Sequence, residues 1–207
     1  VHTQVYLTAI GILSELMQNT PMIALFETAF HSQITQEKYL YGIPYKYYEK
    51  HGIRKYGFHG ASHKYIAYRV GELFNNGDPD CRVISCHLGG SSSVCAINNG
   101  VSIDTSMGMS PQSGLLNGQR TGDLDPFALL YLMEKENLNI QQARDILANE
   151  SGLLGISELS GDFRDVQEAM ANGNEKAKAA FDTFVYYTRR YIGEYLAALN
   201  GTDYIGF

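Results

Sequence analysis

The sequence predicts an α/β fold: a mixed sheet with flanking helices. Three observations predict it. Strand-like runs lie close together at Arg82–Leu88, Ser92–Ile97 and Val101–Thr105, and the last two are joined by Asn98-Asn99-Gly100, where Asn and Gly accept the positive φ of a hairpin turn. Helix-period segments lie on both sides of this block, so strands and helices are intermixed. A long amphipathic run from about Asn174 to Leu199 stops at Asn200-Gly201, a good C-terminal signal, and the apolar run DYIGF follows it.

The elements can be justified in order. Val5, Ala9, Ile10, Leu13, Leu16 and Met17 recur at helical spacing and predict a helix over 5–19. Met22–Phe26 is a short apolar run that reads as a buried strand ending at Glu27. The tyrosine-rich stretch Tyr39–Tyr48 is expected to pack at a domain or subunit interface. Ser62 is expected to cap a helix with Ile66, Val70, Leu73 and Phe74 on one face, ended by Asn76-Gly77. Asp125-Pro126 reads as an N-cap followed by proline at the first helical position. Further helices are expected after Asn139 and near Ser160. In the long helix, Phe181, Phe184, Val185, Ile192 and Leu196 are expected to form the buried face.

Composition excludes several classes of function. A chain of 207 residues suits one large or two small domains. The formal charge of −6 argues against binding a nucleic-acid backbone. No apolar run approaches the length of a membrane span, and no secretory signal is visible. Cys81, Cys86 and Cys95 are odd in number and lie in or beside probable strands, which suggests buried reduced thiols and a cytoplasmic protein. Their spacing does not fit a zinc site.

Chemistry concentrates in Asp104–Pro126, DTSMGMSPQSGLLNGQRTGDLDP. Arg120 stands there among glycines and aspartates. Its planar fork of donors suits phosphate or carboxylate, and glycine lets backbone approach a ligand. The alternative is a solvated turn in which Arg120 pairs with Asp123.

DTSMG…GQRTGDLDP resembles a signature of the acetate and propionate kinases, relatives of the sugar kinases, actin and the heat-shock chaperone ATPases. Other motifs resemble theirs in the same order: FETAFH (Phe26–His31), YGFHGASH (Tyr56–His63), CHLGGSSSV (Cys86–Val94) and SGLLGISELSGDFRDV (Ser151–Val166). The resemblance implies an actin-like ATPase lobe with a ribonuclease H-like core. Residues 1–26 would end a first lobe, and 27–207 would form most of a second, which carries nucleotide and dimer contacts. It implies phosphoryl transfer between ATP and acetate or propionate, with ATP/ADP and Mg2+ as cofactors, and a homodimer. The family's upstream phosphate-binding hairpin and downstream GGIGEN-type loop have no counterparts here. The segment is therefore expected to be the middle of a longer chain, with the metal ligands outside it.

Residue by residue, the resemblance makes Arg120 and His59 phosphoryl-contacting groups. His87, Leu88, Gly89, Gly90 and Ser91 match the loop that approaches the nucleotide phosphates, where Ser91 to Ser93 would add hydroxyl donors. Asp162, Phe163 and Arg164 match a D-x-R that lies against the nucleotide; Asp162 also suits a helix first turn. His31 and His63 are expected to be structural. The sequence departs from the family at two places. Glu27 stands where the family has a catalytic aspartate, so its charge reaches one methylene further. Gly90 replaces an asparagine whose side-chain contact is lost. Both departures favour a catalytically impaired nucleotide-binding or oligomer-forming relative, while Arg120, His59 and Asp162–Arg164 oppose it. A butyrate-kinase-like enzyme is a further alternative, because its loop tolerates HLGGG.

Overall fold

The computed structural model describes residues 2–78 and 80–207. Helix α1 spans His2–Leu16, and every described side chain from Val5 to Phe26 is exposed. The expected strand at Met22–Phe26 does not form, and Ile23 is 91% exposed there. A strand needs a ladder partner for its backbone groups. The sheet's outer strands run elsewhere, and this segment pairs with neither. A 3-10 turn over Glu27–His31 follows, then the short helices α2 (Gln36–Tyr39) and α3 (Lys46–His51).

The tyrosine-rich stretch packs largely on itself. The ring of Tyr48 lies 5.6 Å from Tyr39 and 5.4 Å from Tyr45, and the Arg54 guanidinium sits 3.6 Å above Tyr39. Tyr41 accepts the Met109 N–H at 2.8 Å, tying the stretch to the loop after the hairpin.

Helix α4 spans Gly60–Phe74, and its N-cap is His59, three residues ahead of the expected Ser62. Strands β1 (Arg82–Leu88), β2 (Ser92–Asn98) and β3 (Val101–Thr105) form an antiparallel meander, and β4 (Tyr204–Gly206) adds parallel to β1. The order is β3-β2-β1-β4, a mixed sheet as expected. Asn99 and Gly100 make the hairpin turn with φ of 52° and 73°.

Period-two alternation sorts the sheet residues onto two faces. Ile84, Cys86, Val94 and Ala96 pack against Tyr191, Tyr195 and Leu199. Val83, Cys95 and Ile97 face the other way, against Ala67 and Val70 of α4. The sheet is thus held between α4 and the long helix. All three cysteines are buried and free, and burial pushes the Cys86 and Cys95 thiols up to about 12.

The helices that follow the hairpin are α5 (Pro126–Lys135), α6 (Ile140–Asn149), α7 (Gly152–Ser157), α8 (Phe163–Ala171) and α9 (Glu175–Ala198). Both α7 and α8 pack along the long α9. Asp125 caps α5 by accepting the Phe127 N–H, and Asn139 with Gln142 forms a capping box on α6. Leu116, Leu153, Val166 and Phe184 join α7, α8 and α9 in a third core cluster. The buried stripe of α9 differs in part from the expected one: Phe184 is buried and Phe181 and Ile192 pack against the core as expected. It runs through Ala177, Ala180, Phe184, Thr188, Tyr191 and Tyr195, whereas Val185 is 44% and Leu196 37% exposed. Small alanines allow close approach, and the tyrosine rings fill what remains. Ranking positions by aliphatic character alone missed this. Among the described residues no helix is long and apolar enough to cross a membrane.

Candidate active site

The same alternation that builds the core places a polar cluster on the α4 side of the sheet. Ser85 and His87 are two residues apart on β1, and His87 lies opposite Ser93 of β2. His59, Ser62 and His63 come from the first turn of α4 and meet them. Ser62 Oγ bonds His87 Nδ1 at 2.9 Å. Ser93 Oγ sits between His59 Nδ1 at 2.8 Å and His63 Nε2 at 2.7 Å, and His63 Nδ1 bonds Ser85 Oγ at 2.9 Å. The His59 and His87 rings stack with centroids 4.0 Å apart.

This environment keeps the histidines neutral. Burial first, then the neighbouring His87 and the Arg120 cation, lowers His59 to about 4. Burial likewise lowers His63 to about 2. His87 is also lowered by burial, with Glu27 acting in the opposite sense.

His59 is held in the left-handed region at φ 58°, an uncommon conformation for a residue with a side chain. Both flanks of its peptide are pinned. The Phe58 carbonyl accepts from His31 Nε2 at 2.9 Å, and the His59 N–H donates to Glu27 Oε2 at 3.1 Å. His31 is buried and also accepts from Ser102 Oγ at 2.8 Å, the structural role expected of it. The 3-10 turn that carries Glu27 packs directly on the start of α4. A Cβ added to Gly60 would lie 1.9 Å from the Glu27 carbonyl oxygen.

Arg120 does not pair with Asp123. Asp123 is engaged by Arg190, by the Tyr191 hydroxyl at 2.7 Å and by the Gly114 N–H at 2.7 Å. Burial and the Asp123 hydrogen bond raise Tyr191. Arg120 instead donates to Ser91 Oγ at 2.9 Å, and among the described residues no carboxylate bridges to it. It sits on the rim of a cavity of about 440 Å³ shared by Gly90, Gly118, Asn149, Gly161 and Asp162.

Three loops build this cavity by backbone contact. The Gly118 N–H donates to the Gly90 carbonyl at 3.2 Å, and a Cβ on Gly118 would lie 2.6 Å from the Gly161 oxygen. The buried Asn117 carboxamide accepts the Ser92 N–H, joining the arginine loop to the start of β2. A Cβ at Gly90 would meet nothing within 4 Å, so packing does not require glycine there. That open space adjoins the cavity, which Gly90 itself lines.

The expected site residues therefore divide. Glu27, His59 and His87 come together, with Arg120 close enough for its charge to bear on His59. Gly90 and Asp162 line the adjoining cavity. Leu88 ends β1 and is 41% exposed, while Gly89 accepts the Ser92 hydroxyl at its carbonyl. Asp162 caps α8 and also pairs with Arg164 at 2.6 Å, which holds the Asp162 carboxyl near 2. The partly buried Phe163 ring packs 5.1 Å from both Phe181 and Phe184. Ser92 and Ser93 are both fully buried and bonded inward. Ser85, Ser93 and Asn117 were not singled out individually for these contacts. The i, i+2 spacing of Ser85 and His87 on a strand is the sequence signal for Ser85.

The donor set fits an anionic ligand. Glycine-rich backbone and an arginine without a carboxylate partner suit phosphate groups. Among the described residues no group of three His, Cys, Asp or Glu side chains converges as a metal site.

A mixed sheet in the order β3-β2-β1-β4, covered by helices on both faces and bordered by glycine-rich loops, defines a lobe of the actin-like ATPase fold. The chain matches the acetokinase family over residues 1–207 and belongs to it. It is 51% identical over 191 residues to an acetate kinase of Natranaerobius thermophilus, covering 92% of this chain and 48% of that one. It is 46% identical to an acetate kinase of Halothermothrix orenii, covering 100% and 52%. Acetate kinase from Porphyromonas gingivalis superposes with a TM-score of 0.92 at 38% identity, covering 96% of this chain and 50% of that one. A propionate kinase from Francisella tularensis gives 0.91 at 34%, covering 96% and 51%. The chain spans about half the length of the curated relatives it matches.

The Gly60 contact yields a stability prediction. Gly60→Ala forces the Glu27–His31 turn away from α4 and should cost about 1–3 kcal/mol, as overpacking does. Urea unfolding measures it, and an unchanged midpoint would mean that the two segments do not pack this closely.

Proposed function

We propose that the full-length protein transfers a phosphoryl group between ATP and a short carboxylate, acetate or propionate, giving an acyl phosphate. The observation that carries this reading is the convergence of Glu27, His59 and Arg120 beside a glycine-lined cavity. The impaired-relative and butyrate-kinase readings are not favoured, because the named relatives are acetate and propionate kinases.

Phosphoryl transfer between two anions depends on positioning and on stabilising charge in flight. Arg120, tethered through Ser91, holds equatorial oxygens of the moving group. His59 is neutral near pH 7 and serves as a hydrogen-bond donor rather than a second cation. The loop His87–Ser91 offers backbone amides to the nucleotide phosphates, with Gly118, Gly161 and Asp162 closing the cavity around the nucleotide. Magnesium, when bound with the nucleotide, neutralises phosphate charge. Glu27 supplies a carboxylate beside the transfer site and holds the His59 backbone.

In this reading residues 27–207 form most of the nucleotide-binding and dimerisation lobe, and 1–26 end the other lobe. The protein works in the cytoplasm as a homodimer. Half-exposed tyrosines such as Tyr45, at 50%, supply apolar surface suited to a partner.

Trapping with hydroxylamine tests the activity. Full-length protein with ATP, magnesium and acetate or propionate should yield acyl hydroxamate, and none across acids of about two to five carbons would overturn the reading. In the same assay Arg120→Ala should lower kcat by on the order of 10²–10³ with nucleotide affinity little changed. Glu27→Gln keeps an acceptor for the His59 amide and removes only the charge. It should lower kcat by about 10², and parity with the parent would deny the carboxylate a catalytic role. Sedimentation at micromolar concentration should show a dimer; a clean monomer would contradict the assembly.

A further inference from the structure

We propose that Ser85, His63 and Ser93 form a one-way hydrogen-bond chain that fixes the tautomer of His59, placing its proton on Nε2. The inference rests on the proposed role of His59 only for its kinetic consequence; its structural content stands apart.

The direction follows from counting donors. The chain has three links: Ser85 Oγ to His63 Nδ1 at 2.9 Å, His63 Nε2 to Ser93 Oγ at 2.7 Å, and Ser93 Oγ to His59 Nδ1 at 2.8 Å. Ser85, His63 and Ser93 are all buried, at 1%, 0% and 0% exposure. A neutral imidazole has one N–H and one bare nitrogen, and a hydroxyl has a single proton to give. Both rings are neutral near pH 7, because burial and the neighbouring cations and rings lower them.

Two directions run through all three links; an arrangement in which both rings donate to Ser93 strands the Ser93 proton, because among the described residues Ser93 Oγ has no third hydrogen-bond partner. In the first, Ser85 donates to His63 Nδ1, His63 Nε2–H donates to Ser93, and Ser93 donates to His59 Nδ1. Every buried proton then has an acceptor, and His59 carries its own proton on Nε2. In the reverse direction His59 Nδ1–H donates to Ser93, Ser93 to His63 Nε2, and His63 Nδ1–H to Ser85. The Ser85 hydroxyl proton is then stranded, because among the described residues Ser85 Oγ has no other hydrogen-bond partner. A buried donor without an acceptor is strongly disfavoured. The first direction therefore prevails.

The neighbouring chain shows the same logic with its direction set by a carbonyl. The Phe58 carbonyl can only accept, so His31 carries its proton on Nε2 and takes the Ser102 hydroxyl at Nδ1. Two parallel relays, one to the His59 backbone and one to its ring, thus converge on a single residue. Among the described residues His59 Nε2 makes no hydrogen bond, so the proton delivered there remains available to an anionic ligand. Ser93 and His63 are positioning residues on this account, since they act through His59.

The test reads tautomers directly. Two-bond and three-bond 1H–15N correlation spectra of the ligand-free full-length protein near pH 8 should show His59 with a pyrrole-type Nε2 and an imine-type Nδ1. Ser93→Ala cuts the chain, and Ser85→Ala removes the hydroxyl that sets its direction. Both should move His59 toward a mixture of tautomers, and the Ser85 variant must do so without touching the ring. A parent spectrum with the proton on Nδ1 would overturn the proposal, as would an unshifted His59 in either folded variant. Ser93→Ala should also lower kcat about tenfold, with KM for nucleotide within about twofold. The spectra need no substrate, so a failure of the carboxylate-kinase reading leaves them standing.

Discussion

His63 is a polar ring with no access to water, and it sits where the sheet meets α4. Such a group is tolerated only when each ring nitrogen has a partner. Ser85 on β1 and Ser93 on β2 provide them. Those two contacts specify the register of α4 against the sheet more sharply than its alanine and valine packing could. Once His63 is fixed, His59 lies one turn earlier at the helix entrance, with its ring turned to the same Ser93. The packing of a core residue thus determines the place of a surface-facing one.

A second constraint acts on the backbone. The arginine loop and the approach to α8 meet at Gly118 and Gly161 with almost no room between them, and the β1–β2 loop joins them where the Gly90 carbonyl accepts the Gly118 N–H. Glycine there brings three main chains within contact distance, which lines the cavity with peptide groups rather than side chains. Asn117 locks two of these loops through the Ser92 amide. Arg120 follows three residues later, so its placement inherits the rigidity of that junction. Asp123 cannot compete for Arg120, because Arg190, Tyr191 and Gly114 already occupy its oxygens.

Legibility in the sequence followed the locality of each cause. The β2–β3 hairpin was readable because Asn99-Gly100 determines its turn without help from elsewhere. The caps at Asp125 and Asn139 are equally local. The stripe of α9 was readable only in part, because it depends on which residues the sheet and α8 present to it; Ala, Thr and Tyr won positions that hydrophobicity would give to Val185 and Leu196. Met22–Phe26 looked like a strand for its apolarity, but strand formation is decided by a partner edge. In the site, Glu27, His59 and Arg120 could be named from motif resemblance. The inward roles of Ser85 and Ser93 could not, since they arise from a cross-strand pairing and a helix register that no single motif contains.

Glu27 shows how these constraints interact. If Glu27 takes the place of the aspartate that the resemblance expects, its charge stands roughly 1.5 Å further forward. In the structure that reach is used: Oε2 meets the His59 amide at 3.1 Å. A shorter carboxylate could make the same hydrogen bond only if the Glu27–His31 turn moved closer to α4. That approach is already exhausted, because the Glu27 carbonyl lies against Gly60 with no space for even a methyl group. The backbone cannot come nearer, so the side chain must be long enough to span what is left. The Glu27 carboxylate, the close approach at Gly60 and the left-handed turn at His59 are thus joined at one junction. On that geometry the full length of the glutamate side chain has a structural use, holding the His59 backbone.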